Sequence, residues 1–442
     1  QAVLDRDEMR LISVFSFTAK LNPFSNIMMD FDDLDEQESA AMTFYAISDV
    51  HVENSANMEW LSNLSGDKNG TIIVAGDLAT SIPDLERALR LFKIKYKHVF
   101  FCFGNHEVWC RGHKNDVGPG RDVGDSWAKL DLIRQTCKAA GVHTSAKLIE
   151  GVWVVPIFGW YHNSWDTEPP LRAPAGLKLL REPEPPERIA TDYHACIWGD
   201  LENGTEELAK RLDAQNERRD GEDEWGAWPL PAELKEDVER SPNERAHPII
   251  SFSHFLPRLE LMPEKRILFQ PNLSKVSGSW WVRARIEMLN PNIHIFGHTH
   301  FPWDMEIQGV RYRSWPLGKP DEQSIRITHW PTDTAETWPP LPILDSLGRL
   351  NDELVEWTAT SELCWMSNQY RRRKRDPKAG EMAEYTAKIY CPEAPIIDME
   401  MMTLNNRRYP KECSAFEKER RDKYAQKSKA YSDRNIQMWS YD

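Results

Sequence analysis

Five short stretches of this chain gather Asp, His and Asn side chains: Asp49-Val50-His51, Gly76-Asp77, Gly104-Asn105-His106-Glu107, His254 and Gly297-His298-Thr299-His300. These residues offer hard oxygen and borderline nitrogen donors, a set that suits Mn, Fe or Zn, and no cysteine stands among them to make a thiolate site. One buried histidine is ordinarily a satisfied structural residue, but packing alone does not explain so many ligand types in the same kind of position. The chemistry such a set could do is metal-assisted hydrolysis of a phosphoester. Two neighbouring cations need a shared carboxylate, and Asp77 stands where that bridge is expected.

Residues this far apart in sequence meet only if the fold brings them together, and the flanking patterns indicate how. Each stretch follows an apolar run that reads as a buried strand: Thr43 to Ser48, Thr71 to Ala75, Val99 to Phe103, Pro248 to Phe252 and Ile293 to Phe296. Asn54 to Leu64, Pro83 to Tyr96 and Ser126 to Ala140 read as helices, the second with proline in its first turn. Strand and helix in alternation predict an α/β core with a largely parallel sheet, in which the carboxyl ends of the strands converge on one crevice. Gly151 to Phe158, Met305 to Gln308 and Val310 to Ser314 predict further strands, the last two joined at Gly309, so a second sheet with hairpin character is expected. Gly76, Gly104 and Gly297, each beside a candidate ligand, are expected to permit the turns that aim side chains inward.

The rest of the chain frames this core. Residues 1–40 end in an acidic stretch and read as an N-terminal extension, residues 41–335 as the structured domain and residues 336–442 as a charged C-terminal arm. Within the domain, residues 165–247 are rich in Pro, Glu and Arg and read as an excursion outside the core, with a helix over Glu202 to Asn216. The arm carries Arg371 to Arg375, read as a solvated charge run, and a charged helix over Ala415 to Tyr431, a candidate docking element for a protein partner. With 442 residues, 69 acidic against 55 basic and a net charge of −14, the chain is a poor candidate for nucleic-acid binding. Seven dispersed cysteines without a CxxC pair indicate reduced intracellular thiols, and no run reaches the roughly 18 apolar residues of a membrane span. A soluble protein of the cytoplasm or of an organelle such as the plastid is expected.

Taken in order, the five stretches resemble the DxH, GD, GNH(D/E), H and GHxH motifs of the calcineurin-like metallophosphoesterase superfamily. The resemblance covers roughly residues 43–318 and implies a four-layer αββα sandwich of two mixed sheets with two divalent metal ions at its edge. It places one ion between Asp49, His51, Asp77 and His300, and a second between Asp77, Asn105, His254 and His298. It also implies attack on phosphorus by a metal-bridging hydroxide, with His106 as general acid or charge stabiliser for the leaving oxygen.

The local sequence separates this chain from one branch of that superfamily. Ser/Thr protein phosphatases carry GDxVDRG, whereas Gly76-Asp77 here continues Leu78-Ala79-Thr80-Ser81-Ile82, without the basic residue that would grip a phosphoprotein. Gly104 to Arg111, Trp160-Tyr161-His162, Ser274 to Ser279 and Gly297 to Asp304 resemble calcineurin-like phosphoesterases of plants and algae. Arg111 and His162 are candidate phosphate contacts; Tyr161 and Trp303 are candidate pocket walls, although packing is the better reading of both. The expected function is hydrolysis of a phosphomonoester or a small phosphodiester. The alternative is a subunit of a larger assembly that keeps the fold while its arms do the binding.

Overall fold

A computed structural model describes residues 41–110, 124–217, 219–220, 223–323, 338–346, 364, 366–367, 370 and 375–397. The described residues cluster into one compact unit. Its strands are β1 (Thr43–Ile47), β2 (Asp67–Ala75), β3 (Tyr96–Cys102), β4 (Lys147–Ile149), β5 (Val152–Pro156), β6 (Arg219–Asp220), β7 (Asp223–Glu224), β8 (Ile249–Phe252), β9 (Ile293–Phe296), β10 (Trp303–Ile307), β11 (Val310–Ser314) and β12 (Leu341–Asp345).

Two mixed sheets carry the fold, one of four strands in the order β12-β1-β2-β3 and one of six in the order β10-β11-β9-β8-β5-β4. β1, β2 and β3 run parallel, as do β5, β8, β9 and β11, while β12, β4 and β10 pair antiparallel at the edges. β1, β5, β8 and β9 are mostly apolar because both of their faces are covered. Side chains of both sheets, among them Phe44, Ile72 and Val74 from one and Val154, Ile250 and Ile295 from the other, share the main core. Outside the first sheet lie α1 (Ser55–Asn63), α2 (Ile82–Lys95) and α3 (Ser126–Ala140); the helix Trp280–Leu289 packs its buried Val282, Ile286 and Leu289 into the core of the second. The result is the expected αββα arrangement.

Local chemistry sets the helix limits. Ser81 caps α2 by accepting from the Asp84 N–H at 3.2 Å, with Pro83 in the first turn. Asp125 caps α3 by accepting from the Ala128 N–H at 2.8 Å, and Gly141 at φ 66° ends it.

Three readings of the sequence need revision. β12 lies beyond residue 335, so the first sheet draws a strand from sequence expected in the C-terminal arm. The 165–247 excursion reaches the main core: the helix Glu206–Asp213 buries Leu208, Ala209 and Leu212 there, and Trp225 joins them. Arg375 turns inward, where its guanidinium meets the Glu168 carboxylate and donates to the Leu259 carbonyl at 2.9 Å. The helix Glu384–Tyr390 follows, with Ala387 and Tyr390 packed beside Leu171 and Met382. Ala415 to Tyr431 and residues 371–374 of the basic run lie outside the described residues. Among the described residues, no helix is long and apolar enough to cross a membrane.

Candidate metal centre

The five motifs occupy the loops that leave the carboxyl ends of β1, β2, β3, β8 and β9. Five of their residues adopt left-handed backbone: Asp49 (φ 52°), His51 (φ 50°), Asp77 (φ 52°), His298 (φ 73°) and His300 (φ 55°). Each such residue costs on the order of 1–3 kcal/mol and persists only where its surroundings enforce it. Here the loops enforce one another. The Asp49 N–H donates to the Gly76 carbonyl and the His51 N–H to the Asp77 carbonyl, both at 3.0 Å, and the His298 N–H donates to Asp49 Oδ1 at 2.9 Å.

The neighbouring glycines do two different jobs. Gly76, at φ 80°, is a true turn residue. Gly104 and Gly297 supply room instead of backbone freedom: a Cβ on Gly104 would lie 2.2 Å from Asp77 Oδ1, and one on Gly297 would lie 2.8 Å from Asp49 Oδ2.

Two groups of donors meet at Asp77. In the first, Asp49, His51, Asp77 and His300 turn ligand atoms toward one another, with His51 Nε2 3.0 Å from His300 Nε2 and His300 Nε2 3.4 Å from Asp49 Oδ1. In the second, His254 Nε2, His298 Nδ1 and Asn105 Oδ1 form a triangle with edges of 3.2, 3.1 and 3.1 Å, and Asp77 Oδ1 lies 3.5 Å from His254 Nε2. Separations of this size match the donor–donor edges of a cation bonded at roughly 2.0–2.2 Å to nitrogen and oxygen.

Hydrogen bonding fixes which atoms point inward. His254 Nδ1 donates to the Ala75 carbonyl at 3.0 Å and His298 Nε2 to the Val276 carbonyl at 2.8 Å. Asn105 Nδ2 donates to Asp192 Oδ1 at 2.9 Å. Because those acceptors can only accept, the atoms left facing the triangle are three lone pairs. Three mutually repelling lone pairs within 3.2 Å suit a cation among them. The first group reaches the same result through carboxylates, with Glu53 Oε1 3.2 Å from His51 Nδ1 and Glu322 Oε2 2.7 Å from His300 Nδ1.

The charge balance agrees. Burial, together with the negative Glu107 and Asp49, pushes the Asp77 carboxyl well above the usual range. Burial would lower His300, yet Glu322 and Asp49 outweigh it and raise the imidazole to about 10. Both shifts express a buried, carboxylate-rich site that calls for positive charge. The residues therefore fit divalent ions.

His106 sits beside both groups without joining either. Its Nε2 is 3.8 Å from Asp77 Oδ2, its Nδ1 is 3.4 Å from Glu53 Oε1, and its ring lies 3.7 Å, centroid to centroid, from Trp109. Burial holds this imidazole well below the usual histidine value, against the opposing pull of Glu53. Glu107 is structural: its carboxylate accepts from the backbone N–H groups of Asp77, Leu78, Ala79 and Gly104 at 2.7–3.0 Å, lacing two of the candidate ligand loops together.

The structure thus brings together Asp49, His51, Asp77, Asn105, His254, His298 and His300, with His106 alongside. His162 is committed elsewhere: it is fully buried, its Nδ1 lies 2.9 Å from Ser164 Oγ, and its Nε2 accepts from the Trp280 N–H at 3.2 Å. With both ring nitrogens engaged and no exposed surface, it is not placed to grip a phosphate. Tyr161 and Trp303 are likewise fully buried, and Arg111 lies outside the described residues. Sequence reasoning missed Glu53, Asp192 and Glu322. Glu53 could have been found, since it follows His51 by two positions; the other two sit in segments without motif or periodicity.

A calcineurin-like phosphoesterase profile matches residues 42–302. The chain is 24% identical over 352 residues to an acyl-carrier-protein phosphodiesterase, PptH, of Mycobacterium tuberculosis, covering 77% of this chain and 96% of that protein. It also resembles the crystal structure of the phosphopantetheinyl hydrolase PptH from the same organism, at 20% identity and a TM-score of 0.45, over 68% of this chain and 96% of that one. These relatives are bacterial. The profile spans more than half of the sequence, and the chain belongs to the calcineurin-like phosphoesterase family of metal-dependent phosphoric ester hydrolases.

Proposed function

We propose that this protein hydrolyses a phosphodiester at a dinuclear centre, with one ion held by Asp49, His51, Asp77 and His300 and the other by Asp77, Asn105, His254 and His298. The observation that carries the reading is the pair of donor groups sharing Asp77, with His106 Nε2 on the same carboxylate. The donor chemistry suits Mn, Fe or Zn.

When bound, two such cations supply an activated water and neutralise charge on the phosphate oxygens. The protein's own residues do the rest. Asp77 spaces the two donor groups, and the outer hydrogen bonds of His254, His298 and Asn105 hold their inner atoms in place. His106 serves as general acid or charge stabiliser for the leaving oxygen, and Glu53 Oε1, which engages its Nδ1, favours the doubly protonated ring that this role needs, against the burial that opposes it.

For the substrate, similarity to PptH favours a phosphodiester over a monoester, and a phosphopantetheinyl group on an acyl carrier protein is the first candidate. The protein partner would then be the substrate itself. The local resemblance to plant and algal members bears on origin and leaves this chemistry unchanged.

The test measures metal content and turnover of para-nitrophenyl phosphate, its bis ester and a holo acyl carrier protein with added Mn, then repeats both with Asp77→Asn and His106→Ala. Metal without turnover across the panel would sink the enzyme reading. Full activity in Asp77→Asn would sink the site assignment. Turnover of the monoester alone would replace the diester reading.

A further inference from the structure

The Pro- and charge-rich segment after residue 165 sends one side chain to the metal centre. Asp192 opens the short helix Asp192–Ala195 and is 1% exposed. One of its oxygens, Oδ1, accepts from Asn105 Nδ2 at 2.9 Å and from Trp109 Nε1 at 2.6 Å. Asn105 belongs to the second donor group, and Trp109 packs against His106. A single carboxylate oxygen therefore touches the supports of both the metal site and the proton donor.

We propose that Asp192 is a positioning residue that selects which end of the Asn105 side chain faces the second ion and, through Trp109, sets the seat of His106. An asparagine amide offers an acceptor at one end and donors at the other, so rotation by half a turn would present NH2 groups to a cation. The Asp192 carboxylate can only accept. It pairs with the NH2 end and leaves Oδ1 3.1 Å from both His254 Nε2 and His298 Nδ1. Its negative charge, one residue removed from the ion, also favours a cation there.

Asp192 is itself held from several directions. Its carbonyl accepts from Asn203 Nδ2 at 3.1 Å, and the Cys110 N–H donates to the Ala195 carbonyl at 2.6 Å, tying the helix to the loop that follows His106. The Ile197 N–H donates to Ser126 Oγ at 2.9 Å, and the Ser126 N–H returns to the Ile197 carbonyl at 2.8 Å, fastening the same segment to the start of α3. The 165–247 segment is in this way a working part of the centre, since outer partners of metal ligands govern affinity by about 10–100-fold.

This proposal rests on the two-ion reading above. The experiment titrates the full-length, metal-stripped protein with Mn(II), reading stoichiometry and affinity by calorimetry and spin coupling between the ions by electron paramagnetic resonance. The wild-type chain is expected to bind two coupled ions. Asp192→Ala is expected to bind the first as before and the second about 10–100-fold more weakly, with loss of the coupled signal at one equivalent above the first. Asp192→Asn keeps an acceptor but loses the charge, so it is expected to recover part of that affinity and weaken the second ion several-fold. Equal affinities in wild type and both variants would overturn the role of Asp192 while leaving two ions in place, as would equal weakening of both ions. Should Asp192→Ala fail to fold, Asp192→Asn decides alone, and an unchanged second affinity overturns the proposal. A wild-type chain that binds fewer than two ions would overturn the two-ion reading and this one together.

Discussion

Glu322 Oε2 lies 2.7 Å from His300 Nδ1 and ties the last of the proposed metal-binding histidines to a turn that the motifs do not include. The same oxygen accepts from the Lys319 N–H at 2.8 Å, so the carboxylate is held before it holds the imidazole. An imidazole that donates from one nitrogen to a carboxylate presents a more basic and better-aimed lone pair at the other. Glu322→Gln is therefore expected to weaken Mn binding at the His300 side about 10–100-fold. Calorimetric titration of the stripped protein checks it, and an affinity within about twofold of wild type would count against the link.

Glu53 offers a second test because one oxygen, Oε1, faces two histidines, at 3.2 Å from His51 Nδ1 and 3.4 Å from His106 Nδ1. General acid catalysis by a positioned side chain contributes about 10²–10⁴-fold, so His106→Ala sets the scale of the loss. Glu53→Gln is expected to lower kcat by about tenfold or more at saturating Mn, because the carboxylate that favours the protonated His106 ring is gone. Measuring kcat alongside bound Mn separates the two contacts: a loss that more Mn fully repairs would assign Glu53 to His51 alone.

What the sequence made legible, and what it hid, divides along the range of the interactions. Every loop that carries a proposed ligand was readable because a parallel strand buried on both faces is a short apolar run, and the residue just past it is placed by the chain itself. The supports of those ligands were hidden because they come from elsewhere. Asp192 reaches Asn105 across a segment whose Pro-rich composition resembles a surface excursion, and Glu322 acts from a four-residue helix, Pro320–Gln323, with no apolar period to announce it. The helix Trp280–Leu289 escaped for a related reason: Arg285 interrupts the buried face formed by Val282, Ile286 and Leu289. His162 misled in the opposite sense, because a histidine between aromatics looks like a binding residue until its Nε2 is seen accepting the Trp280 N–H at the start of that helix.

The second sheet contains a titration switch for stability. His294 is fully buried between Ser251 Oγ, 2.8 Å from its Nδ1, and Ser253 Oγ, 3.1 Å from its Nε2. Burial lowers its imidazole to about 3, and burial likewise lowers His162 to about 4, with Glu206 opposing. In the unfolded chain these groups bind protons near pH 6.5, so below that pH the unfolded state holds more protons and is favoured. The stability they contribute is fully present above about pH 6.5 and is lost as pH falls toward 3. For His294 alone the loss between about pH 7.5 and 5.5 is about 1.4 kcal/mol. Urea unfolding at the two pH values, in wild type and in His294→Gln, checks it: the variant's pH dependence is expected to be shallower by about that amount, and equal slopes would remove His294 as the cause.

The contact that joins residue 375 to the domain makes the last prediction. Lys265 Nζ lies 2.6 Å from Asp166 Oδ2, with both side chains at most 3% exposed, and it also donates to the Glu168 carbonyl at 2.9 Å. Glu168 in turn accepts from the Lys265 N–H at 2.8 Å and meets Arg375, so one cluster fastens the start of the 165–247 segment to residues near 265 and to the C-terminal part of the chain. Removing one member of a buried pair strands the other charge, at about 3–5 kcal/mol, whereas replacing both by apolar groups of similar size is often near neutral. Lys275 Nζ, 3.9 Å from the same Asp166 oxygen, can share part of that burden, which places Lys265→Met at the lower end, about 3 kcal/mol. Asp166→Leu combined with Lys265→Met should return most of the lost stability. Denaturant midpoints at constant m-value measure both, and a single variant within about 1 kcal/mol of wild type would mean that water reaches the pair and screens it.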